Sequence, residues 1–250
     1  LGNYNITYAP GTLTINKAVL TVTADNQTKV YGDANPTFTY AVTGYKNTDT
    51  ASVLSGTASI TSAATLTTGV GTAVISAAAG NLAASNYSFS YVNGVLTITP
   101  APLTISGTNA NKTYTGLAQT NTAATITGLK NTDNFTITGY GTGTNVASYS
   151  DNLAASPVTG TSANNYTITY NNGALTIGKA NATVTGNSSS VTYNGASQSV
   201  SGFSATGLVN SETIAVLTGV AATGATGTSV GSYTNTVSGT ANNYNLTFAN

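Results

Sequence analysis

The chain has 250 residues, with six lysines balanced by six acidic residues to a net charge of zero at pH 7, and it contains no cysteine, histidine, methionine or tryptophan. This composition excludes disulfide bonds, thiolate or imidazole metal ligands, and any catalytic relay built on histidine or cysteine. It also offers no basic surface for nucleic acid and no apolar run of roughly 20 residues that could cross a membrane. We therefore expect no cofactor, no nucleic-acid partner, no membrane insertion in this segment and no enzyme activity.

One structural unit recurs along the chain. A strand motif that opens with Asn-Tyr begins at four positions, namely Asn3, Asn86, Asn165 and Asn243. The spacings of 83, 79 and 78 residues are typical of a small domain and too long for a solenoid coil. The predicted boundaries are a closing hairpin of a preceding repeat at 1–17, followed by repeats at 18–100, 101–179 and 180–250, the last of which lacks its final strand.

The closing motif of each repeat predicts a β-hairpin. Apolar and polar side chains alternate from Tyr87 to Tyr91, which is the pattern of a half-buried strand. Asn93-Gly94 then favours a type I′ turn, which would place Tyr91 opposite Leu96. The same register in residues 1–17 places Tyr8 opposite Leu13.

Two further landmarks recur in all three repeats. A Tyr-x-Gly or Tyr-Gly segment, predicted to end a strand, lies at Tyr31, Tyr114 and Tyr193. A Gly/Asn/Asp-rich loop follows and ends in an acidic residue, at Asp49, Asp133 and Glu212. Helical periodicity is absent except for one turn predicted near residues 49–54, where Asp49 would be the cap.

The fold class expected from these patterns is all-β. Small sandwich-like domains are favoured, with a β-grasp-like domain as the alternative. The joints between repeats, at 16–18, 99–102 and 178–180, are too short and too rich in lysine or proline to act as a flexible tether. An elongated, semi-rigid rod of about 100 Å is therefore predicted from strands of ~10 residues rising ~3.3 Å each.

The recurring motifs resemble those of known repeat families. Val30-Tyr31-Gly32-Asp33, the loop Thr43-Gly44-Tyr45-Lys46-Asn47 and the closing segment from Asn86 to Ile98 resemble the MBG and YDG repeats of very large secreted bacterial proteins. The first repeat is most similar to the MBG form, and the second and third, with Tyr114-Thr115-Gly116 and Tyr193-Asn194-Gly195, to the YDG form. The resemblance implies tandem domains in haemagglutinin-like adhesins and carries over no catalytic residue.

Ligand contacts are predicted only at tyrosines that one repeat has and the others lack. Tyr45 and Tyr140 are the candidates for contact with a host or matrix glycan or protein, since tyrosine offers an apolar ring with a polar edge. Acidic residues are scattered singly, so neither a calcium loop nor the carboxylate pair of a glycosidase is expected.

The function expected from the sequence is that of a stalk or filament segment at the bacterial cell surface, outside the cell. The alternatives are a glycan- or protein-binding repeat module and a subunit of a strand-exchanged filament. In the last case the partner is another copy of the chain, and a strand of one copy pairs with a strand of the next. The predicted pairing residues are Thr12, Leu13, Thr14 and Ile15 on one copy and Tyr244, Leu246 and Phe248 on the next.

Overall fold

A computed structural model describes residues 2–249 of the chain, so the outer bounds of the first and last predicted domains, Leu1 and Asn250, lie outside the described residues. Within this range the fold is all-β and contains no α-helix, which confirms the predicted sandwich-like class. A β-grasp domain would need a helix across its sheet, and residues 2–249 provide none. Helical structure is limited to three single 3-10 turns, at Ala51–Val53, Ala163–Asn165 and Ile214–Val216.

The first repeat consists of two sheets. Its strands are β1 (Ala18–Ala24), β2 (Gln27–Val30), β3 (Tyr40–Thr43), β4 (Ser59–Thr61), β5 (Gly71–Ala78), β6 (Tyr87–Val92) and β7 (Gly94–Thr99). One sheet has the order β3-β1-β6 and the other β2-β7-β5-β4. Leu20 and Val22 on the first sheet, and Ile75, Leu96 and Ile98 on the second, are buried and supply the core.

The closing strands of the repeat do not form the predicted hairpin. Instead, β6 pairs in parallel with β1, and β7 pairs in parallel with β2 and antiparallel with β5. The chain therefore passes from the first sheet to the second twice, between β1 and β2 and between β6 and β7, and the two crossings lie side by side. Gly94 does not adopt a positive φ, and a Cβ there would lie 2.7 Å from the carbonyl oxygen of Ala24. The glycine thus allows two backbones to approach closely at the crossing. In the sequence, a glycine with this role cannot be distinguished from the glycine of a turn.

The second repeat follows the same path. Its strands are β8 (Ala101–Gly107), β9 (Ala110–Thr113), β10 (Gln119–Thr120), β11 (Ala124–Thr127), β12 (Phe135–Thr138), β13 (Thr142–Gly143), β14 (Ala147–Ser150), β15 (Ala154–Pro157), β16 (Tyr166–Asn171) and β17 (Ala174–Gly178). The sheets include β11-β8-β16 and β14-β17-β9, so the last strand of the repeat lies between β9 and β14. Two further two-stranded sheets, β10-β13 and β12-β15, complete the second repeat.

The third repeat forms the first of these sheets but not the second. Its strands are β18 (Ala180–Gly186), β19 (Gln198–Val200), β20 (Phe203–Thr206), β21 (Gly219–Ala222), β22 (Ala225–Gly227), β23 (Val237–Thr240) and β24 (Tyr244–Ala249). They are ordered β20-β18-β24, β19-β22 and β21-β23. Residues 187–194 and 231–236, the counterparts of the segments that contain β9 and β14, form no strand.

The segment before β1 also departs from the prediction. Residues 4–17 form no strand, and Tyr8, Leu13 and Ile15 are exposed, so the predicted pairing of Tyr8 with Leu13 is wrong. Two strands of one hairpin are marginal in water without a sheet to pack against. The predicted helical turn is present as the 3-10 turn Ala51–Val53, but its cap is the Thr50 side chain and not Asp49.

The chain divides into two compact units. The first contains the residues up to Pro102 together with Lys130–Asp133 and Ser162–Thr167, and the second contains Leu103–Leu129, Asn134–Thr161 and Ile168–Asn250. The first unit therefore includes the acidic loop and the start of the closing strand of the second repeat.

Candidate functional site

The closing tyrosine of each repeat is anchored to the acidic loop of the same repeat. In the first repeat the Tyr87 hydroxyl donates a hydrogen bond of 2.6 Å to the Asp49 carboxylate and accepts one of 3.0 Å from the backbone N–H of Lys46. Asn47 in this loop has a positive φ of 53°, a conformation that asparagine tolerates better than most residues. The loop thereby turns its acid back onto the tyrosine.

In the first unit a second tyrosine joins such a pair. The Asp133 carboxylate accepts hydrogen bonds from the hydroxyls of Tyr166, at 2.6 Å, and Tyr31, at 2.9 Å. The two rings meet edge to face, with centroids 5.6 Å apart, a geometry that aromatic pairs prefer. We call Tyr31, Asp133 and Tyr166 the first tyrosine clamp. It connects the Tyr-Gly segment of repeat 1 to the acidic loop and closing tyrosine of repeat 2.

The second unit contains the same arrangement one repeat later. The Glu212 carboxylate accepts a hydrogen bond of 2.5 Å from the Tyr114 hydroxyl and a second from the Tyr244 hydroxyl. The two rings are again edge to face, at 5.5 Å. Tyr114, Glu212 and Tyr244 form the second tyrosine clamp. Glutamate thus replaces aspartate without loss of either bond.

Glycines beside the clamps give the neighbouring loop room to approach. Gly32 and Gly116 have φ values of 82° and 75°, and a Cβ on them would lie 2.5 Å from Lys130 Cβ and 2.7 Å from Asn210 Cβ, respectively. Any other residue would be strained in φ and would also push the acidic loop away. This explains the glycines that follow Tyr31 directly and Tyr114 after one residue.

Backbone contacts support both clamps. In the first unit the N–H of Val70 donates to Asn165 Oδ1 at 3.0 Å, and in the second the N–H of Val146 donates to Asn243 Oδ1 at 3.0 Å. Asn165 and Asn243 immediately precede the closing tyrosines of repeats 2 and 3. The first unit adds an ion pair of 2.8 Å between Lys130 and Asp33, which is partly exposed and therefore weak.

The clamps predict a loss of stability at alkaline pH. Burial, followed by the hydrogen bond to Glu212, raises the pKa of Tyr244 to about 12, above the unfolded value of about 10. A raised tyrosine pKa contributes stability that is complete below the unfolded value and is lost as the pH rises through the folded value. Urea denaturation is expected to show a midpoint that falls between about pH 10 and 12, and falls less in Tyr244→Phe. Equal falls in both proteins would contradict this role of Tyr244.

Two halves of such a clamp remain separate among the described residues. The pair Asp49 and Tyr87 receives no second tyrosine hydroxyl within residues 2–249, and its only ring neighbour there is Tyr45, edge to face at 6.4 Å. At the other end, Tyr193 has the position of Tyr31 and Tyr114 in its repeat, yet its side chain is 62% exposed.

A groove of about 640 Å³ opens beside Tyr193. Its lining consists of residues 185–191, Tyr193, 198–200, Ala225 and 227–235. These residues include parts of the two segments that form no strand in repeat 3. We call this the Tyr193 groove.

Comparison with protein families identifies the repeats. The family model described as MBG domain (YGX type) matches residues 20–97 and 182–250, which is more than half of the chain. The chain belongs to the MBG domain family. No curated protein and no solved structure matches it significantly.

The family match confirms the resemblance noted in the motifs. The matched ranges fall on the first and third repeats. The third repeat, which the Tyr193-Asn194-Gly195 motif assigned to the YDG form, thus matches the MBG model. Tyr31, Tyr87 and Tyr244 all lie in matched ranges, as do Asp49 and Glu212. The pair Asp49 and Tyr87, and two members of the second clamp, therefore lie within the ranges that match the MBG model.

The two tyrosines predicted to contact a ligand are half buried. Tyr45 packs against Tyr87, and the backbone carbonyl of Tyr140 accepts a hydrogen bond from the Thr142 hydroxyl at 3.3 Å. Their role in binding stays a prediction.

The predicted partners of residues 12–15 all lie on one strand. Tyr244, Leu246 and Phe248 lie on β24, which pairs with β18. In repeats 1 and 2 the final strand does not pair with the counterpart of β24. The hairpin predicted for repeats 1 and 2 is wrong, and the pairing of residues 12–15 with this strand in another copy stays a prediction.

Sequence reasoning missed the clamp acids, which were interpreted as loop or capping residues. Asp49, Asp133 and Glu212 mark the one acidic position present in all three repeats, at spacings of 84 and 79 residues. That recurrence, in a chain so poor in charge, was the available signal.

Residues 2–249 hold no group of three potential metal ligands. In the same range no helix reaches the length and apolarity that crossing a membrane requires.

Proposed function

We propose that the chain is a structural segment of a large extracellular bacterial surface protein, in which MBG repeats space or project a binding region. The observation that carries this proposal is the tyrosine clamp, built twice from the same residue types, at Tyr31–Asp133–Tyr166 and Tyr114–Glu212–Tyr244. Each clamp connects side chains of two successive repeats.

Fixed contacts between successive repeats suit a spacer. A tether rich in glycine and serine behaves as a random coil, whereas each clamp adds two hydrogen bonds to a carboxylate and an aromatic contact. The near absence of charge and the lack of cysteine fit a passive segment that meets changing ionic strength and redox conditions. Membership of a repeat-domain family supports a non-catalytic role.

The glycan-binding alternative receives no support from Tyr45 and Tyr140. A binding face needs accessible aromatic rings that converge on a concave surface. Tyr45 is instead half buried against Tyr87, whose hydroxyl is held by Asp49.

Single-molecule energy transfer between repeat 2 and repeat 3, within the second compact unit, tests the spacer. The chain has no cysteine, so Thr159→Cys and Ser197→Cys, both at exposed positions of that unit, accept two dyes. A spacer is expected to give one narrow distance distribution that broadens in Tyr114→Phe, because the phenylalanine loses the bond to Glu212. A distribution that is equally broad before and after this substitution contradicts a spacer.

Location requires a separate measurement. Antibodies against the chain are expected to label intact cells of the source organism, and external protease is expected to remove that label. Label that is reached only after permeabilisation contradicts a surface role and leaves the clamp result untouched.

A further inference from the structure

The first and last strands of repeat 1 lie beside each other in both of its sheets. We call β1 with β2 (18–30) the entry segment and β6 with β7 (87–99) the closing segment. The two segments pair in parallel over six residues of one sheet and over four residues of the other. A further strand supports each pair, because β3 lies beside β1 and β5 lies beside β7. The two segments are thus held together twice, once in each sheet.

Tension along the chain loads this contact lengthwise. The chain enters repeat 1 at Ala18, which lies beside Tyr87, and leaves it at Thr99, which lies beside Val30. A pull on the chain therefore draws the entry segment towards its first residue and the closing segment towards its last. Parallel neighbours drawn in opposite directions separate by sliding past each other. Because the hydrogen bonds of a parallel pair are evenly spaced, they bear such a load together.

Further hydrogen bonds link the two segments between the crossing and their ends. At the crossing, the N–H of Val95 donates to Asn26 Oδ1 at 2.8 Å. Near the ends, the Thr99 hydroxyl donates to the backbone carbonyl of Lys29 at 3.3 Å. The N–H of Tyr31, directly after the entry segment, donates to the carbonyl of Thr99 at 2.8 Å. These bonds also have to break before the segments can slide.

The core of repeat 1 fixes the register of the two segments. Leu20 and Val22 on the entry segment, and Leu96 and Ile98 on the closing segment, are at most 2% exposed. A slip by one residue turns every side chain of a strand to the opposite face of its sheet. Sliding would therefore expose these apolar side chains to water, which adds to the resistance of the hydrogen bonds.

Repeat 2 contains the same links. Its strands β9 and β17 pair in parallel over four residues. The N–H of Ala174 donates to Asn109 Oδ1 at 3.0 Å, the counterpart of the bond at the crossing of repeat 1. The N–H of Tyr114 donates to the carbonyl of Gly178 at 2.8 Å, the counterpart of the bond that follows the entry segment. The arrangement therefore recurs with the period of the repeat.

We propose that repeats 1 and 2 are load-bearing units, in which the parallel contact between the first and last strands resists tension along the chain. The inference rests on the proposed function, since a spacer is pulled whenever the binding region that it projects is attached. Forced unfolding is governed by the rate of unfolding. The force that repeat 1 withstands therefore depends on the direction of the pull, whereas its free energy of unfolding does not.

Optical tweezers that pull repeat 1 in two directions test the proposal. The chain has no cysteine, so DNA handles attached to Asn16→Cys/Pro100→Cys load the two segments lengthwise. Handles on the matched control, Asn16→Cys/Ser85→Cys, pull at the starts of β1 and β6 and peel these strands apart bond by bond. All three positions are exposed and lie outside the strands, so both proteins are expected to have the same urea midpoint. At equal loading rate we expect the rupture force to be higher in the first protein by about twofold or more. Equal rupture forces overturn the proposal.

Asn26→Ala provides a second arm of the same experiment. It removes the acceptor of the Val95 N–H at the crossing, eight residues beyond Ala18. We expect it to lower the lengthwise rupture force and to leave the peeling force unchanged, because peeling starts at Ala18. Equal losses in the two directions overturn the proposal.

The outcome is separable from that of the spacer test. Equal rupture forces together with a narrow energy-transfer distribution refute the load-bearing role and leave the spacer standing. Unequal rupture forces together with a distribution that is broad before and after Tyr114→Phe support the load-bearing contact and refute the spacer.

Discussion

Asp133→Ala is expected to lower the free energy of unfolding of the first unit by about 3 kcal/mol. The carboxylate accepts hydrogen bonds from Tyr31 and Tyr166, and bonds to a charged acceptor each contribute roughly 1.5 to 3 kcal/mol. The lower end applies because Asp133 is only half buried, so water reaches part of the vacated space. Urea denaturation followed by tyrosine fluorescence measures the change.

Asp49→Ala is the matched control for Asp133→Ala. Its carboxylate holds one tyrosine hydroxyl, that of Tyr87, and lies in the same compact unit. The expected loss is about half as large, since one charged hydrogen bond is removed.

A double-mutant cycle then attributes the remainder to Tyr31. Tyr31→Phe should destabilise the wild type but have almost no effect once Asp133 is alanine, because the bond it removes is already absent. Fully additive effects, or an Asp49→Ala loss as large as that of Asp133→Ala, contradict the two-tyrosine clamp.

The strand faces could be predicted because they depend on local pattern. Alternation of polar and apolar residues across 87–91 is a property of the strand itself, and Tyr87 is buried as that alternation requires. The recurring tyrosines Tyr31, Tyr114, Tyr166 and Tyr244 are buried as well, whereas others that recur are exposed, namely Tyr4, Tyr8, Tyr170, Tyr193 and Tyr233.

Strand pairing could not be predicted in the same way. Asn93-Gly94 has the composition of a type I′ turn, but β6 and β7 each gain a parallel partner, β1 and β2, that is 69 residues away. Asn26 Oδ1 accepts the N–H of Val95 at the crossing, at 2.8 Å, which compensates for a ladder bond that a hairpin would have made. Long-range pairing decides between the two arrangements, and no short window of sequence contains it.

The clamp was missed for a related reason. An isolated acid in a Gly/Asn loop has ordinary local roles, such as solvation or capping, and Asp49 has neither. Its tyrosine partner is 38 residues away, and Tyr31 is 102 residues from Asp133. The available signal was the recurrence of an acid at one position in a chain with 5% charged residues. Such a recurring charge indicates a contact shared by the repeats, which no single loop sequence shows.

Asp151→Ala is expected to destabilise the second unit by about 4 kcal/mol, the largest effect of a single substitution outside the apolar core. Asp151 is 3% exposed, and its carboxylate accepts the backbone N–H groups of Gly141, at 2.7 Å, and Gly173, at 3.1 Å, as well as the Asn121 side-chain amide. Each buried donor left without a partner costs about 1 to 3 kcal/mol. The carboxylate thus holds the crossing between β16 and β17 to the neighbouring loop.

The third repeat provides the matched control for Asp151→Ala. Asn235 has the corresponding position, but within residues 2–249 it accepts one backbone N–H, from Gly224, and donates to the carbonyls of Asn187 and Gly202. Carbonyl oxygens tolerate a missing partner better than N–H groups do, so Asn235→Ala is expected to cost about 2 kcal/mol. Asp151→Asn should fall between the wild type and Asp151→Ala, because its amide offers one acceptor where the carboxylate offers two. Urea denaturation of the three variants ranks them, and an Asp151→Ala protein as stable as the wild type contradicts this account of the crossing.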